Sequence, residues 1–218
     1  MTDNIDKYNK GNATVKNGAD DQKSDKTDNL ENNIEDNERK MVDVIIPTYR
    51  PAKEFGELLH RLEKQEYRPN RILVMNTGKE YWNSEWENYP LLEVHHLDQK
   101  DFDHGGTRKR AAELSTADIM VFMTQDALPA DRKMIGNLVR AVSRNSGTGA
   151  AYARQLPNAD CRFLERYTRS FNYPEQSSVK SLSDVETYGI KTYFCSNVCA
   201  AYDREIYQTS SRSSKCRN

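Results

Sequence analysis

The five apolar residues Ile119 to Met123, within Asp-Ile-Met-Val-Phe-Met-Thr-Gln-Asp-Ala-Leu-Pro (118–129), constrain the fold more than any other stretch of the chain. The run is too short for a helix of its own and is bounded by polar residues. It predicts a strand buried on both faces, inside a sheet covered by helices. Asp126 falls just past the carboxyl end of that strand. In an open parallel sheet this edge is where ligands bind, and a carboxylate there can hold a divalent cation that carries a phosphate. The position suits equally a carboxylate that only caps the turn into the next helix, and position alone does not choose between the two.

The sequence before it supplies partners for such a strand. Val-Asp-Val-Ile-Ile-Pro-Thr-Tyr-Arg (42–50) begins as a β-branched strand that Pro47 is expected to stop, because proline cannot donate to a ladder. From Ala52 to Gln65, the residues Phe55, Leu58, Leu59 and Leu62 fall at i, i+3, i+4 and i+7, the stripe of a helix packed on a sheet. Arg71 to Met75 predicts a second strand ending at Asn76-Thr77-Gly78, and strand, helix, strand at this spacing is a right-handed crossover unit. Trp82, Trp86 and Tyr89 sit among polar neighbours and are expected to cover a core edge. Leu91 to Leu97 is a third strand, and His104-Gly105-Gly106 opens a helix that runs to about Ser115.

Beyond Pro129, Asp131 is the expected N-cap of a helix buried through Ile135, Leu138, Val139 and Val142. A fifth strand is expected at 149–153, a helix carrying Phe163, Leu164, Tyr167 and Phe171, and a last strand at 193–202. Asp203 and Glu205 then read as residues of a helix start.

Composition matters at the two ends. Residues 1–40 hold almost no large apolar groups and are dense in Asp, Asn, Lys, Glu and Gly, so they predict a disordered polar tail. They resemble neither a secretory signal nor a transit peptide. Residues 208–218 read as an unstructured tail, leaving 41–207 as the folded domain. Net charge is -1, which gives no general electrostatic case for nucleic acid or for an anionic membrane surface. No apolar run approaches the roughly 18 residues of a membrane span. Cys161, Cys195, Cys199 and Cys216 lack paired zinc-ligand spacing and read as reduced thiols of a cytoplasmic protein.

Three loops end near one sheet edge: 47–50, 76–78 and 124–127. Convergence of this kind builds a nucleotide pocket. Tyr49 can stack on a base, and Arg50 and Arg108 offer cations to a diphosphate, whereas Lys109 and Arg110 read as solvated surface. His104-Gly105-Gly106-Thr107 before a helix can bring backbone N–H groups to an anion. Dehydrogenase chemistry is excluded, because Pro-Thr-Tyr-Arg-Pro stands where a dinucleotide fingerprint needs its glycines. A Walker-type phosphate loop and a nucleophile elbow are also absent from the sequence.

Val-Ile-Ile-Pro-Thr-Tyr (44–49), with the carboxylate after the fourth strand, resembles the family 2 inverting glycosyltransferases of the GT-A fold. More narrowly, His-Gly-Gly-Thr-Arg (104–108), Met-Thr-Gln-Asp-Ala (123–127) and Phe-Cys-Ser-Asn-Val-Cys-Ala-Ala (194–201) resemble the rhamnosyltransferase branch of that family. The likeness covers about residues 42–207. It implies an α/β, Rossmann-like half with a mostly parallel central sheet flanked by helices. The donor half would span about 41–130, and the start of an acceptor half 131–207.

The implied reaction moves a sugar, rhamnose from dTDP-rhamnose, with inversion onto a saccharide acceptor of a cell-surface polysaccharide. Pro47, Thr48 and Tyr49 would hold the base of a dTDP- or UDP-sugar, with His104, Gly105 and Arg108 near the base or the diphosphate. Asp126 aligns with the second acid of the family's Asp-x-Asp motif and would bind Mg²⁺ or Mn²⁺, with Thr124 and Gln125 beside it. Ser196 and Asn197 would face the sugar and acceptor. A lipid-linked acceptor would place the protein at the inner face of the membrane. Thr124 stands where the first acid usually is, and Asn76 where an Asp commonly reads the base. The family's general base, an acid in a Glu-Asp pair downstream of 194–201, has no counterpart before Asn218. The expectation is therefore an incomplete C-terminal part, with a nucleotide-sugar-binding module lacking turnover as the alternative.

Overall fold

The computed structural model describes residues 39–157 and 161–213, and residues 40–218 group as one unit distinct from 1–39. The expected polar tail at 1–40 lies almost wholly outside the described residues. In the described unit, β1 (Val42–Tyr49), β2 (Arg71–Thr77), β3 (Leu92–Leu97), β4 (Ile119–Met123), β5 (Ala150–Tyr152) and β6 (Cys199–Asp203) form a sheet of order β3-β2-β1-β4-β6-β5. Strands β1 to β4 are mutually parallel, and β6 runs antiparallel to both β4 and β5.

All five residues of β4 are 0 or 1% exposed, and alternate residues serve opposite cores. Ile119, Val121 and Met123 join Val44 and Ile46 on one face, where α1 (Glu54–Glu63) and α3 (Met134–Ser143) pack. Met120 and Phe122 join Ile45 and Leu73 on the other, against Ala111 and Ala112 of α2 (His104–Leu114). Each of the larger of these side chains (Val, Ile, Leu, Met, Phe) contributes roughly 1.5–3 kcal/mol through burial. The stripe Phe55, Leu58, Leu59, Leu62 of α1 is buried as its spacing requires, and so is Ile135, Leu138, Val139, Val142 of α3. Trp86 is buried and Trp82 and Tyr89 pack against the same core, closing its edge beside β3.

Four expectations are corrected. β1 does not stop at Pro47 but continues in register with β2 to Tyr49↔Thr77. Its ladder with β4 ends at Ile45↔Phe122, so Pro47 lies where the strand has become an edge on that side, a setting that tolerates proline. The 193–202 stretch is a strand only from Cys199; Gly189–Tyr193 is a 3₁₀ turn, and 194–198 is a loop. Asp131 does not cap α3: it accepts from the Lys133 N–H at 2.8 Å, and Lys133 holds the cap position. Finally α6 (Arg204–Ser213) runs beyond the domain end expected at 207. Asp203 accepts from the Ile206 N–H at 3.1 Å, as a helix-start carboxylate does.

Between β5 and β6 lie α4 (Phe163–Asn172) and the one-turn α5 (Val185–Tyr188). Helix α4 forms where the apolar spacing placed it, yet Phe163, Leu164, Tyr167 and Phe171 are all exposed. Cys161, Cys195 and Cys199 form no disulfide, and Cys216 lies outside the described residues. Burial pushes the Cys199 thiol up to about 12.

Candidate functional site

The parallel register of β1, β2 and β4 brings their carboxyl ends to one edge. There the side-chain amide of Gln125 accepts from the Tyr49 N–H at 2.8 Å and donates to the Tyr49 carbonyl at 3.1 Å. This pair of bonds ties the loop after β4 to the end of β1. Arg50 follows with φ of 47°, a left-handed backbone unusual for a residue with a side chain. Its guanidinium lies 4.4 Å from the Tyr81 ring centroid, donates to the Tyr81 hydroxyl at 2.7 Å, and stands 5.2 Å from the Tyr49 ring. The hydroxyl bond raises the Arg50 pKa. Tyr49, Arg50 and Tyr81 thus form an exposed aromatic and cationic wall.

Behind it the polar groups are internal. Thr48 Oγ1 donates to Asn76 Oδ1 at 2.9 Å, and Asn76 Nδ2 faces the Gly78 carbonyl at 3.2 Å and His96 Nδ1 at 3.0 Å. An amide donor facing Nδ1 leaves the ring proton on Nε2. Burial, with the Lys79 cation adding to it, holds His96 below its usual 6.5. Thr48 and Asn76 are both buried, and the polar atoms of Asn76 are engaged within the protein.

The start of α2 differs from the anion site its glycines suggest. Asp103 is the N-cap, and its carboxylate accepts a very short bond from the Gly106 N–H. The Thr107 N–H bonds to the Asp103 carbonyl at 2.8 Å. The helix therefore carries its own anion on these donors. A Cβ at Gly106 would lie 2.9 Å from Asp103 Oδ2, which explains that glycine, whereas Gly105 has ordinary room. His104 and Gly105 are exposed. Arg108 turns the other way: its Nη1 donates to the His104 carbonyl at 3.1 Å, and its charge is felt by Tyr202 and Tyr207.

Residues 194–198 approach the same edge, because the Thr124 N–H donates to the Val198 carbonyl at 3.1 Å. Tyr202 donates to Asn197 Oδ1 at 2.6 Å. Burial, and then the neighbouring Cys195 thiol, push the Tyr202 phenol well above its usual 10, against a smaller opposite pull from Arg108. Ser196 is buried and accepts from Tyr173 Oη at 2.8 Å and Gln155 Nε2 at 3.0 Å. Arg169 continues the chain with Nη1 to Gln155 Oε1 at 2.9 Å. A cleft of about 540 Å³ opens along α4, lined by Gln155, Arg162, Glu165, Thr168, Arg169 and Tyr173 among others.

Asp126 is exposed, and no hydrogen bond or ion pair among the described residues engages it. Thr124 Oγ1 nearby is buried without a partner. No three His, Cys, Asp or Glu residues cluster as a metal cage among the described residues. A single free carboxylate fits Mg²⁺ or Mn²⁺ of the kind that draws its other ligands from phosphate and water. It does not fit an all-protein cage.

Of the residues singled out by sequence, Tyr49, Gln125, Asp126, Thr124, Ser196 and Asn197 lie in segments joined by hydrogen bonds at this edge. Pro47, Thr48 and Asn76 lie beneath it as support. Asp103, Tyr81, His96, Gln155 and Tyr202 had no motif to mark them. Only Asp103 carried a signal, an acid three residues before a glycine at a helix start.

A mostly parallel sheet of this order, with an antiparallel β6 beside β4, is the GT-A fold of glycosyltransferases. The Glycosyl transferase family 2 profile matches residues 43–210, and the chain belongs to that family. The O-antigen chain rhamnosyltransferase RfbN of Salmonella typhimurium is 38% identical over 174 residues, 77% of this chain and 54% of that protein. The O-antigen chain rhamnosyltransferase WbaN of Salmonella anatum is 29% identical over 167 residues, 76% of this chain and 53% of that one. The chain spans about half the length of these curated relatives. Among solved structures, the mannosyltransferase PcManGT of Pyrobaculum calidifontis, in complex with GDP-Man and Mn²⁺, superposes with a TM-score of 0.56 at 20% identity. That match covers 78% of this chain and 46% of the other.

Proposed function

We propose that the chain is the donor-binding part of an inverting glycosyltransferase that moves rhamnose from dTDP-rhamnose to a saccharide acceptor in cell-surface polysaccharide synthesis. The observation that carries this reading is Asp126: a free, exposed carboxylate at the end of β4, on a loop that Gln125 ties to β1. The names of the two curated relatives support the rhamnosyl choice. They also weigh against a binding module without turnover.

In the transfer, an acceptor hydroxyl oxygen forms a bond to the sugar C1 and gives up its proton to a general base, as the bond from C1 to the diphosphate oxygen breaks and its electron pair leaves with the nucleoside diphosphate. Tyr49 and the Arg50–Tyr81 pair offer a stacking face and a cation for base and diphosphate. Asp126 would hold Mg²⁺ or Mn²⁺, which when bound offsets the negative charge that builds on the leaving group. Ser196, held by Tyr173 and Gln155, supports the sugar side, and the cleft along α4 supports an acceptor saccharide. A lipid-linked acceptor would be met at the cytoplasmic face of the membrane. No helix among the described residues is long and apolar enough to cross it.

The test is thermal stabilisation by dTDP, UDP and GDP, with and without Mn²⁺, for this chain and Asp126→Ala. Ligand at about 100 times its Kd adds about 2.7 kcal/mol. Manganese-dependent stabilisation by dTDP that disappears in Asp126→Ala is the expected result. Indifference to every nucleotide would refute the donor site.

A further inference from the structure

A helix that packs on a core hides its apolar stripe; α4 shows its stripe to the outside. Phe163, Leu164, Tyr167 and Phe171 are 83, 73, 60 and 57% exposed. At about 100° per residue these four fall on one side of the helix, and Glu165, Thr168, Arg169 and Asn172 fall on the adjoining side, which lines the cleft. The apolar side is wider than one helix. Lys191 Nζ stands 3.4 Å from the Phe171 ring centroid, which brings the Gly189–Tyr193 turn alongside with Ile190 and Tyr193, both also exposed. Clustered apolar groups of this extent mark an interaction surface.

Charge selects the occupant. Exposed Arg166 and Lys191 border the stripe, and Arg162 lies with the Glu165–Arg169 pair, 2.9 Å apart, on the cleft side. Aromatic and aliphatic groups edged by cations suit the boundary between acyl chains and anionic headgroups. A second copy placed face to face would set cations against cations at the rim. The cleft beside the stripe leads through Arg169, Gln155 and Ser196 to the loop bonded to Thr124. A helix lying on a bilayer would thus hold the cleft within about one helix diameter, roughly 10 Å, of the headgroups.

We propose that α4 and the Gly189–Tyr193 turn lie in the interface of an anionic phospholipid bilayer. The proposal deepens the reading of a membrane-borne acceptor and rests on it only for purpose, because lipid binding can be measured without any transfer.

The experiment is co-sedimentation of the full 218-residue chain with phosphatidylglycerol/phosphatidylethanolamine vesicles and with phosphatidylcholine vesicles. Partitioning about tenfold stronger on the anionic vesicles, and weakened by salt, is the expected result. The double variant Phe163→Asp/Tyr167→Asp should lose it while keeping the thermal midpoint and the response to dTDP with Mn²⁺. No partitioning by the wild type, or equal partitioning by the variant, overturns the proposal. Self-association abolished by the same variant, without lipid binding, overturns it in favour of a second copy. A chain that responds to nucleotide but ignores vesicles loses only this inference; one that binds vesicles but ignores nucleotides loses only the donor reading.

Discussion

Gln125 reproduces a rung of the sheet beyond the point where the ladder ends. Its amide bonds both the N–H and the C=O of Tyr49, whereas the backbone pairing of β1 with β4 stops at Ile45↔Phe122. The loop that carries Asp126 is thereby fixed to the strand that carries Tyr49. On the proposed function, Gln125 would act on a nucleotide through the positions of these two residues and not by direct contact.

Replacing Gln125 by Ala removes both bonds, at a cost of about 1–2 kcal/mol in stability. Nucleotide affinity in the presence of Mn²⁺ should fall about tenfold, as the two loops lose their common register. Gln125→Glu keeps an acceptor for the Tyr49 N–H but sets an oxygen against the Tyr49 carbonyl, and should be no better than Ala. Calorimetric titration with dTDP alongside thermal unfolding checks both.

The Thr48–Asn76–His96 network predicts a pH dependence. His96 has its folded pKa held below 6.5 by burial, so it is neutral in the folded protein where the unfolded chain begins to protonate. The stability this contributes is fully present above about 6.5 and is lost as pH falls through the folded value. In Asn76→Asp the new carboxylate would face two acceptors, the Gly78 carbonyl and His96 Nδ1; a neutral His96 would have to move its proton to Nδ1 to relieve the second, and a protonated His96 would relieve it more strongly. The variant should be destabilised at pH 8 and recover part of the loss toward pH 6, a slope of opposite sign. Urea unfolding across this range reads it.

Much of the fold was legible because burial leaves a periodic trace. The five-residue run of β4 and the stripes of α1 and α3 fixed which faces meet. The free acid at Asp126 was legible for a related reason, since a strand that stops abruptly exposes whatever follows. What escaped were contacts between residues far apart in sequence. Nothing local shows that Gln125 bonds to Tyr49, or that the amide of Asn76 is occupied by Thr48 and His96. The anion expected at the start of α2 was read from glycines, while the carboxylate that occupies those donors stood two residues before the first of them. Helix α4 had the periodicity of a buried helix, and periodicity reports a face without reporting what covers it.

Gly78 has φ of +80°, and a Cβ there would lie 2.8 Å from the Tyr81 ring. Gly78→Ala is strained on both counts and should cost at least about 1 kcal/mol. Its larger effect should be local, because Tyr81 must move and with it the Arg50 guanidinium. Tyr81→Phe removes only the hydroxyl that Arg50 donates to and leaves the ring. Weaker dTDP binding in Gly78→Ala than in Tyr81→Phe would show that ring position matters more than the bond. Wild-type affinity in both would show that the wall plays no part.

At the opposite, amino end of the sheet, Asp43 is fully buried, with Arg71 at 2.9 Å and the Ser115 hydroxyl at 2.7 Å. Arg71 reaches on to Glu93 at 2.9 Å. Removing the acid leaves a partly buried guanidinium without its nearest counterion, so Asp43→Ala should cost about 3–5 kcal/mol. The pair Asp43→Ala/Arg71→Leu should cost less than the sum of the two single changes, because each single change already removes the contact they share. These residues are the far end of β1 and β2 from Tyr49 and Thr77, so variants that remain folded should bind dTDP with Mn²⁺ as the wild type does. Urea unfolding gives the coupling, and titration of the folded variants gives the affinity. A large loss of affinity in a fully folded Asp43 variant would mean that the carboxyl edge depends on the amino edge through the strands themselves.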